Sequence, residues 1–229
     1  WILRTNQKVG NMGAKIKGLL PLAVTAAVLV FLWVEIALNF TFHWVTVADL
    51  GIGIGLPQLF HLTAPAAFVT WGFYFAAGTG KIGFQKAACG SVIGAVFGLL
   101  LMLIGPNVAK FPDFWGLSVT ALGLAFLLIF GMALSDLWYV PAAFGGFASI
   151  VFWWTATGLD RWSVGGGGTG NTTAALGDTT TAGAGAFGGV LSTPVIWVFV
   201  SVTVSLLAGC VLGLLHTTIT AKITPKTGQ

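Results

Sequence analysis

The chain has 229 residues, of which 56% are hydrophobic and 7% are charged, and its formal net charge is +4 at pH 7. A soluble domain carries roughly 25% charged residues, so this chain has too few to cover a surface that faces water. Its ten basic residues do not form a stripe with interleaved aromatic side chains, which argues against a nucleic-acid partner. The composition, with 33 glycines and ten tryptophans, indicates an integral membrane protein whose partner is the lipid bilayer.

Residues 1–18 are polar and basic, and we expect them to form a cytoplasmic tail. The apolar run that follows is too long for the core of a signal peptide, so we interpret it as a helix that stays in the membrane. In all, six runs have the length of a transmembrane helix, about 20 residues. They lie near 19–41, 63–79, 87–105, 115–134, 138–157 and 192–215. The sequence therefore predicts an all-α membrane domain of six helices at 19–215, followed by a second cytoplasmic tail at 216–229.

The basic residues between these helices indicate the orientation of the chain. If the N-terminus lies inside, the inner segments hold eight bases, whereas the outer segments hold only Lys110 and Arg161. Bases concentrate on the cytoplasmic side of membrane proteins, so both termini are expected in the cytoplasm. The inner bases are Arg4, Lys8, Lys15, Lys17, Lys81, Lys86, Lys222 and Lys226.

Two of the predicted outer segments are long. Residues 42–62 include GIGIGLPQLF, which is too apolar for a free loop, so we expect a short interfacial or re-entrant piece there. Residues 158–191 are rich in Gly, Thr and Ala, which have little to pack with, and are expected to form a flexible external loop. This loop is either an idle insertion or a segment that becomes ordered on a partner.

The chain also contains an internal match. The segment PAAFVTWGFYFAAGTG begins at Pro65 and PAAFGGFASIVFWWTATG begins at Pro141, and each places Pro in the first turn of a predicted helix. The third helix of each half carries small residues four apart, which we expect to pack against other helices. Because each copy holds three helices, an odd number, the second copy would be inverted in the membrane. The small residues are Gly90, Gly94, Gly98, Ser205, Gly209 and Gly213.

Few residues suggest a catalytic, metal-binding or solute-binding site. Glu35 is the only acid well inside a predicted helix, and it is a functional candidate because burying a charge is costly, unless its side chain reaches the interface. His43 and His61 show no metal-ligand spacing, and His216 is expected to cap the inner end of the last helix. The sequence holds no catalytic or cofactor motif, so we expect neither an enzyme nor a bound cofactor or metal.

The stretch AAFVTWGFYFAAGTGKIGFQKAACGSVIGAVFGLLLMLIG, together with YVPAAFGGFAS further along, resembles the domain-of-unknown-function 1097 family of small bacterial inner-membrane proteins. The order of Pro, Phe, Trp and Gly carries the likeness. The resemblance implies a six-helix protein of the bacterial inner membrane, and it supplies no activity and no catalytic residue. The segment at 158–191 departs from the compact pattern of the family.

These observations leave two functions open. The first is a channel or transporter for a small solute, neutral or weakly charged, since few charges lie in the predicted helices. The second is a non-catalytic accessory or structural subunit of a larger membrane complex, or a homo-oligomer, which the small-residue faces and the long outer segment favour. The candidate residues for a solute path are Glu35, Thr70, Trp71, Tyr74, Phe144 and Ser149.

Overall fold

The computed structural model describes residues 2–39, 60–108, 115–157 and 193–224 of the chain. These residues form six α-helices, and no strand occurs among them, so the predicted all-helical fold is confirmed for this part of the chain. The elements are α1 (Ile2–Asn39), α2 (Ala64–Ala76), α3 (Gly80–Val108), α4 (Trp115–Phe130), α5 (Val140–Ala156) and α6 (Val195–Ile223), with a 3-10 turn at Gly131–Ala133.

Four helical stretches in the described part of the chain are long and apolar enough to cross a membrane. They are Lys15–Leu38, Gly80–Asn107, Gly116–Ala133 and Val195–Ile223. α5, with 17 residues, and α2, with 13, fall short of that length, whereas α4 reaches it together with the 3-10 turn that follows it. At 1.5 Å per residue, α2 is about 20 Å long, less than the roughly 30 Å of a bilayer's hydrocarbon core. The helices therefore fit a multi-pass membrane protein, whereas the count of six spans stays a prediction.

The predicted boundary before α3 was wrong. This helix begins at Gly80 rather than near residue 87, because the chain reverses direction directly after α2. Gly78, Thr79 and Gly80 take positive φ angles of 105°, 58° and 59°, a backbone conformation that glycine adopts easily and that ends a helix sharply. Lys81 and Lys86 therefore lie on a helix and not in a loop.

The first and last helices also extend beyond the predicted spans. α1 begins at Ile2, so residues predicted as a tail are helical, and α6 continues to Ile223. His216 thus lies inside α6, seven residues before its end, and its predicted capping role is wrong. The predicted segment 158–191, most of the segment 42–62 and His43 fall outside the described residues.

The two longest apolar helices, α3 and α6, pack against each other at the centre of the bundle. α5 lies against α3, and α2 lies against α6. α1 covers α6 and α4 covers α3, so each of these outer helices turns one face to the bundle. Their opposite faces expose apolar side chains such as Phe31, Leu122 and Phe126, which suits contact with lipid chains.

The bundle has two ends, which we name after Thr63 and Tyr139. The Thr63 end holds the start of α2 and the end of α5, and the Tyr139 end holds the end of α2 and the start of α5. The start of α3 and the end of α6 also lie at the Tyr139 end, since Gly90 meets Tyr139 and Gly213 meets Tyr74. Every lysine whose side chain is described lies toward this end: Lys15, Lys17, Lys81, Lys86 and Lys222.

Candidate functional site

Gly94 and Gly98 of α3 lie against α5. A Cβ atom at Gly94 would overlap the backbone carbonyl of Ala143, and one at Gly98 would come within 2.6 Å of Ile150 Cγ2. Real Cβ atoms do not approach other atoms this closely, so a larger residue at either position would push the helices apart. In lipid, such close backbone contact provides the packing that drives helices together.

Gly209 and Gly213 of α6 make the same kind of contact with α2. A Cβ atom at Gly209 would overlap the backbone carbonyl of Ala67, and one at Gly213 would come within 2.6 Å of the Tyr74 ring. Ala67 and Ala143 are the third residues of the two PAAF segments. The helix pair α2–α6 therefore meets through the same position of the PAAF segment as the pair α5–α3.

The match continues further along each pair, one turn on in α3 and α6 and two turns on in α5 and α2. Tyr74, which meets Gly213, and Ile150, which meets Gly98, each follow the proline of their PAAF segment by nine residues. Both side chains are fully buried at this contact. The same geometry thus holds a polar aromatic residue in one half and an aliphatic residue in the other.

The first turns of the two pairs are matched as well. A Cβ atom at Gly90 would lie 2.6 Å from the Tyr139 carbonyl, and the hydroxyl of Ser205 accepts a hydrogen bond from the Thr63 backbone N–H at 2.9 Å. Thr63 and Tyr139 each precede the proline of their segment by two residues. All six predicted small residues therefore lie where one helix meets another.

The outer helices bury similar stripes. In α1 and in α4 a threonine hydroxyl donates to the carbonyl four residues earlier, at 2.8 Å in both cases. Each threonine is followed, at intervals of four, by two buried large side chains. The two stripes are Thr25, Leu29 and Trp33 in α1 and Thr120, Leu124 and Leu128 in α4.

Two of the predicted path residues, Thr70 and Trp71 of α2, are buried in the interior. Thr70 Oγ1 shares a hydrogen bond of 3.4 Å with the hydroxyl of Ser91 on α3. The ring of Trp71 packs edge-on against His216, with centroids 5.4 Å apart. His216 Nε2 in turn donates to the backbone carbonyl of Leu22 at 2.9 Å, so this cluster joins α2, α6 and α1.

A third path candidate, Tyr74, connects the turn after α2 to α6. Its hydroxyl pairs with Thr217 Oγ1 at 2.7 Å and accepts a hydrogen bond from the Gly80 backbone N–H at 2.9 Å. Both interactions lie at the Tyr139 end of the bundle. Tyr74 therefore has a structural role that its sequence position did not reveal.

The remaining path candidates lie elsewhere. Glu35 is exposed, on the side of α1 opposite the stripe that packs on the bundle, and Phe144 of α5 is 39% exposed. Ser149 of α5 is partly buried and lines a cavity. The structure thus places three of the six candidates in the packed interior, two on the outward surface and one in the cavity.

The cavity has a volume of about 440 Å³ and lies between the first half of α2 and the second half of α5, toward the Thr63 end. Its size is in the range of small-molecule pockets. Val69 and Phe152 line it and are exposed, so it opens on the lateral surface of the bundle. The described residues that line it carry no charge, and they include Thr63, Pro65, Val69, Gly145, Ser149 and Phe152.

His61 lies beside this cavity. Its ring centroid is 6.3 Å from that of Trp153, which lines the cavity, and its backbone N–H donates to the Ser201 hydroxyl at 3.0 Å. Burial lowers the pKa of His61, because water no longer stabilises the charged imidazolium, and this favours the neutral ring. Among the described residues, no three His, Cys, Asp or Glu side chains come together as a metal site.

Sequence reasoning named Ser149 but missed Val69, Gly145 and Phe152 of the cavity. The missing signal was a difference between the two PAAF segments. When the two PAAF prolines are aligned, Ser149 has the same position as Phe73, so a small side chain in one segment corresponds to a large one in the other. A comparison of this kind locates space in a packed bundle, whereas hydropathy alone does not.

Comparisons of the chain with protein-family models, with curated proteins and with solved structures find no match. The resemblance to a bacterial inner-membrane family therefore stays a prediction, and the functional conclusion depends on the geometry of this chain.

Proposed function

We propose that the chain is a channel or transporter for a small uncharged solute, built from two inverted three-helix repeats. The observation that carries the proposal is the matched contact pattern: α2 meets α6 as α5 meets α3, yet α2 and α5 run in opposite directions. Inverted repeats are typical of transporters and channels, whose solute site lies between the two halves. The cavity between α2 and α5 lies at such a boundary.

This proposal includes six membrane spans, with α2 and α5 as the two short ones. Contacts between the helix ends show that consecutive helices alternate in direction, and this supports the count. The lysines gathered at the Tyr139 end support a cytoplasmic location for that end, and so for both termini. The family resemblance adds the bacterial inner membrane to the proposal.

The nature of the solute follows from the cavity. Its lining is apolar apart from the hydroxyl groups of Thr63 and Ser149 and the indole of Trp153. An ion would lose its hydration there without a charged partner, which is strongly unfavourable. The cavity therefore supports an uncharged solute and not a strongly ionic one, and no catalytic role is proposed.

The alternative is a non-catalytic subunit of a larger membrane complex. The observation that favours it is the exposed apolar face of α4, where Phe126 and Phe130 stack with centroids 5.7 Å apart and Leu122 is 72% exposed. A partner helix would cover this face, and so would lipid. The transport proposal has the additional support of the cavity and of the matched halves.

Gentle purification followed by reconstitution separates the two functions. The transport proposal expects the chain alone, or as a homo-oligomer, to accelerate the uptake of small uncharged solutes into liposomes, with protein-free liposomes as the control. A stoichiometric assembly with unrelated chains, together with no uptake by the chain alone, would contradict transport and support the subunit function.

A further inference from the structure

The groove between α2 and α5 is open at one end and filled at the other. Val69 and Gly145 meet midway along it, where a Cβ atom at Gly145 would lie 2.9 Å from Val69 Cγ1. Toward the Thr63 end lies the cavity of about 440 Å³. Toward the Tyr139 end, the ring of Phe73 lies over Gly145 and packs edge-on against the Tyr139 ring, with centroids 6.4 Å apart.

The two ends differ because of one pair of matched residues. Phe73 and Ser149 each follow the proline of their PAAF segment by eight residues. The Ser149 hydroxyl donates to the Gly145 carbonyl at 2.8 Å and lines the open cavity. A phenyl ring at one position and a small hydroxyl-bearing side chain at the other account for a groove that is blocked on one side of Gly145 only.

We propose that Phe73 is a gate that closes the Tyr139 end of this groove, and that Ser149 leaves the Thr63 end open to a small uncharged organic solute with a hydroxyl or amide group. The inference rests on the transport function proposed above. Apolar side chains such as Val69 and Phe152 suit the carbon skeleton of such a solute, and Ser149 Oγ keeps lone pairs that can accept a hydrogen bond from it.

The contacts of Phe73 suit a movable side chain. Its ring lies over Gly145 and against the Tyr139 ring, and Phe73 also packs on the buried cluster of Tyr74, Ala87 and Cys210 without a side-chain hydrogen bond of its own. Rotation of the ring out of the groove therefore breaks no hydrogen bond, and it would uncover the side of Gly145 that faces the Tyr139 end. The glycine itself is required there, because a Cβ atom at position 145 would overlap the Phe73 ring.

The gate is tested by glycerol uptake into liposomes that contain the wild-type chain, Phe73→Ser or Ser149→Phe, followed by light scattering after an osmotic step. Phe73→Ser should accelerate uptake about tenfold or more over the wild-type chain, because both ends of the groove are then open. Ser149→Phe fills an existing cavity and should lower uptake to that of protein-free liposomes.

Two further variants keep the test decisive. Phe73→Leu retains an apolar side chain over Gly145, should fold if Phe73→Ser does not, and should give an intermediate rate. Phe73→Tyr retains the ring and should match the wild-type chain. If Phe73→Ser and Phe73→Leu do not exceed a wild-type chain that itself transports glycerol, the gate is wrong and transport stands. If the wild-type chain and both variants match protein-free liposomes, the gate and the glycerol-like solute class are both overturned.

Discussion

The contact of α2 with α6 and the contact of α5 with α3 are built on the same plan but filled differently. In both, a glycine meets the carbonyl of the third PAAF residue, Ala67 in one pair and Ala143 in the other. Away from that point the two pairs differ. Tyr74 of α2 occupies the position that Ile150 occupies in α5, and Phe73 of α2 occupies the position of Ser149. The shared positions set how closely the helices approach. The divergent positions determine which side chains form hydrogen bonds and where a cavity remains.

This difference separates two kinds of residue that look alike in a hydropathy profile. Glycine at a helix contact is required by backbone distance, so its role can be tested by stability alone. A phenylalanine at the position where the other segment has a serine changes the space between helices with little effect on the backbone. Its role is therefore tested by solute uptake.

The largest effect is expected at the glycines that touch a carbonyl. Gly94→Ala and Gly209→Ala should each destabilise the fold by about 1–3 kcal/mol, because the new methyl group overlaps backbone that cannot move without separating the helices. The measurement is the melting temperature in detergent. Gly123→Ala of α4 is the control: no atom lies within 4 Å of its added Cβ, so it should be neutral or stabilising. Equal melting temperatures for all three variants would contradict the shared plan.

The next largest effect on stability is expected at Tyr74, a polar residue whose matched position in α5 is the apolar Ile150. Tyr74→Phe removes the hydroxyl that pairs with Thr217 and Gly80, and should cost about 1–3 kcal/mol because buried polar groups lose their partner. Tyr139→Phe is the control, since it removes a tyrosine hydroxyl while the ring contact of Tyr139 with Phe73 is kept. Thermal melting of both variants decides the point, and a Tyr74→Phe variant as stable as Tyr139→Phe would contradict it.

The smallest effect is a pH dependence at the Thr63 end. The folded protein holds the pKa of His61 below 6.5, so near and below that pH the unfolded chain binds more protons than the folded one. Stability from the neutral ring is therefore complete above about pH 6.5 and is lost as the pH falls. Melting temperatures between pH 8 and 5 should decline in the wild-type chain and decline less in His61→Gln, and parallel curves would contradict this.

The part of the structure that could be predicted from sequence is the part fixed by local pattern. The length and hydropathy of the apolar runs predicted an all-helical membrane fold, and the spacing of Gly90, Gly94 and Gly98 predicted a packing face. The start of α3 could not be predicted from hydropathy, because Lys81 and Lys86 look like loop residues although a tight turn at Gly78 places them on the helix.

The candidate site was harder to predict, because it depends on which residues of distant segments meet. Trp71 and Tyr74 share the aromatic character expected of a solute path, but their partners on α6 place them in the interior. Glu35 was singled out for its charge, yet its helix turns it outward. Of the six candidates only Ser149 lines the cavity, and its alignment with Phe73 in the two PAAF segments accounts for the space beside it.

The central claim is that the two halves are related by an inversion across the membrane, and labelling of matched residues tests it most directly. Asn107 and Lys222 each follow the carbonyl-contacting glycine of their helix by thirteen residues, and both are exposed. Single cysteines at these two sites, in a chain whose Cys89 and Cys210 are replaced by alanine, are treated with a membrane-impermeant maleimide on intact cells and on permeabilised cells. We predict that Asn107→Cys reacts from outside and Lys222→Cys only after permeabilisation. Reaction of both from the same side would contradict the inverted repeat.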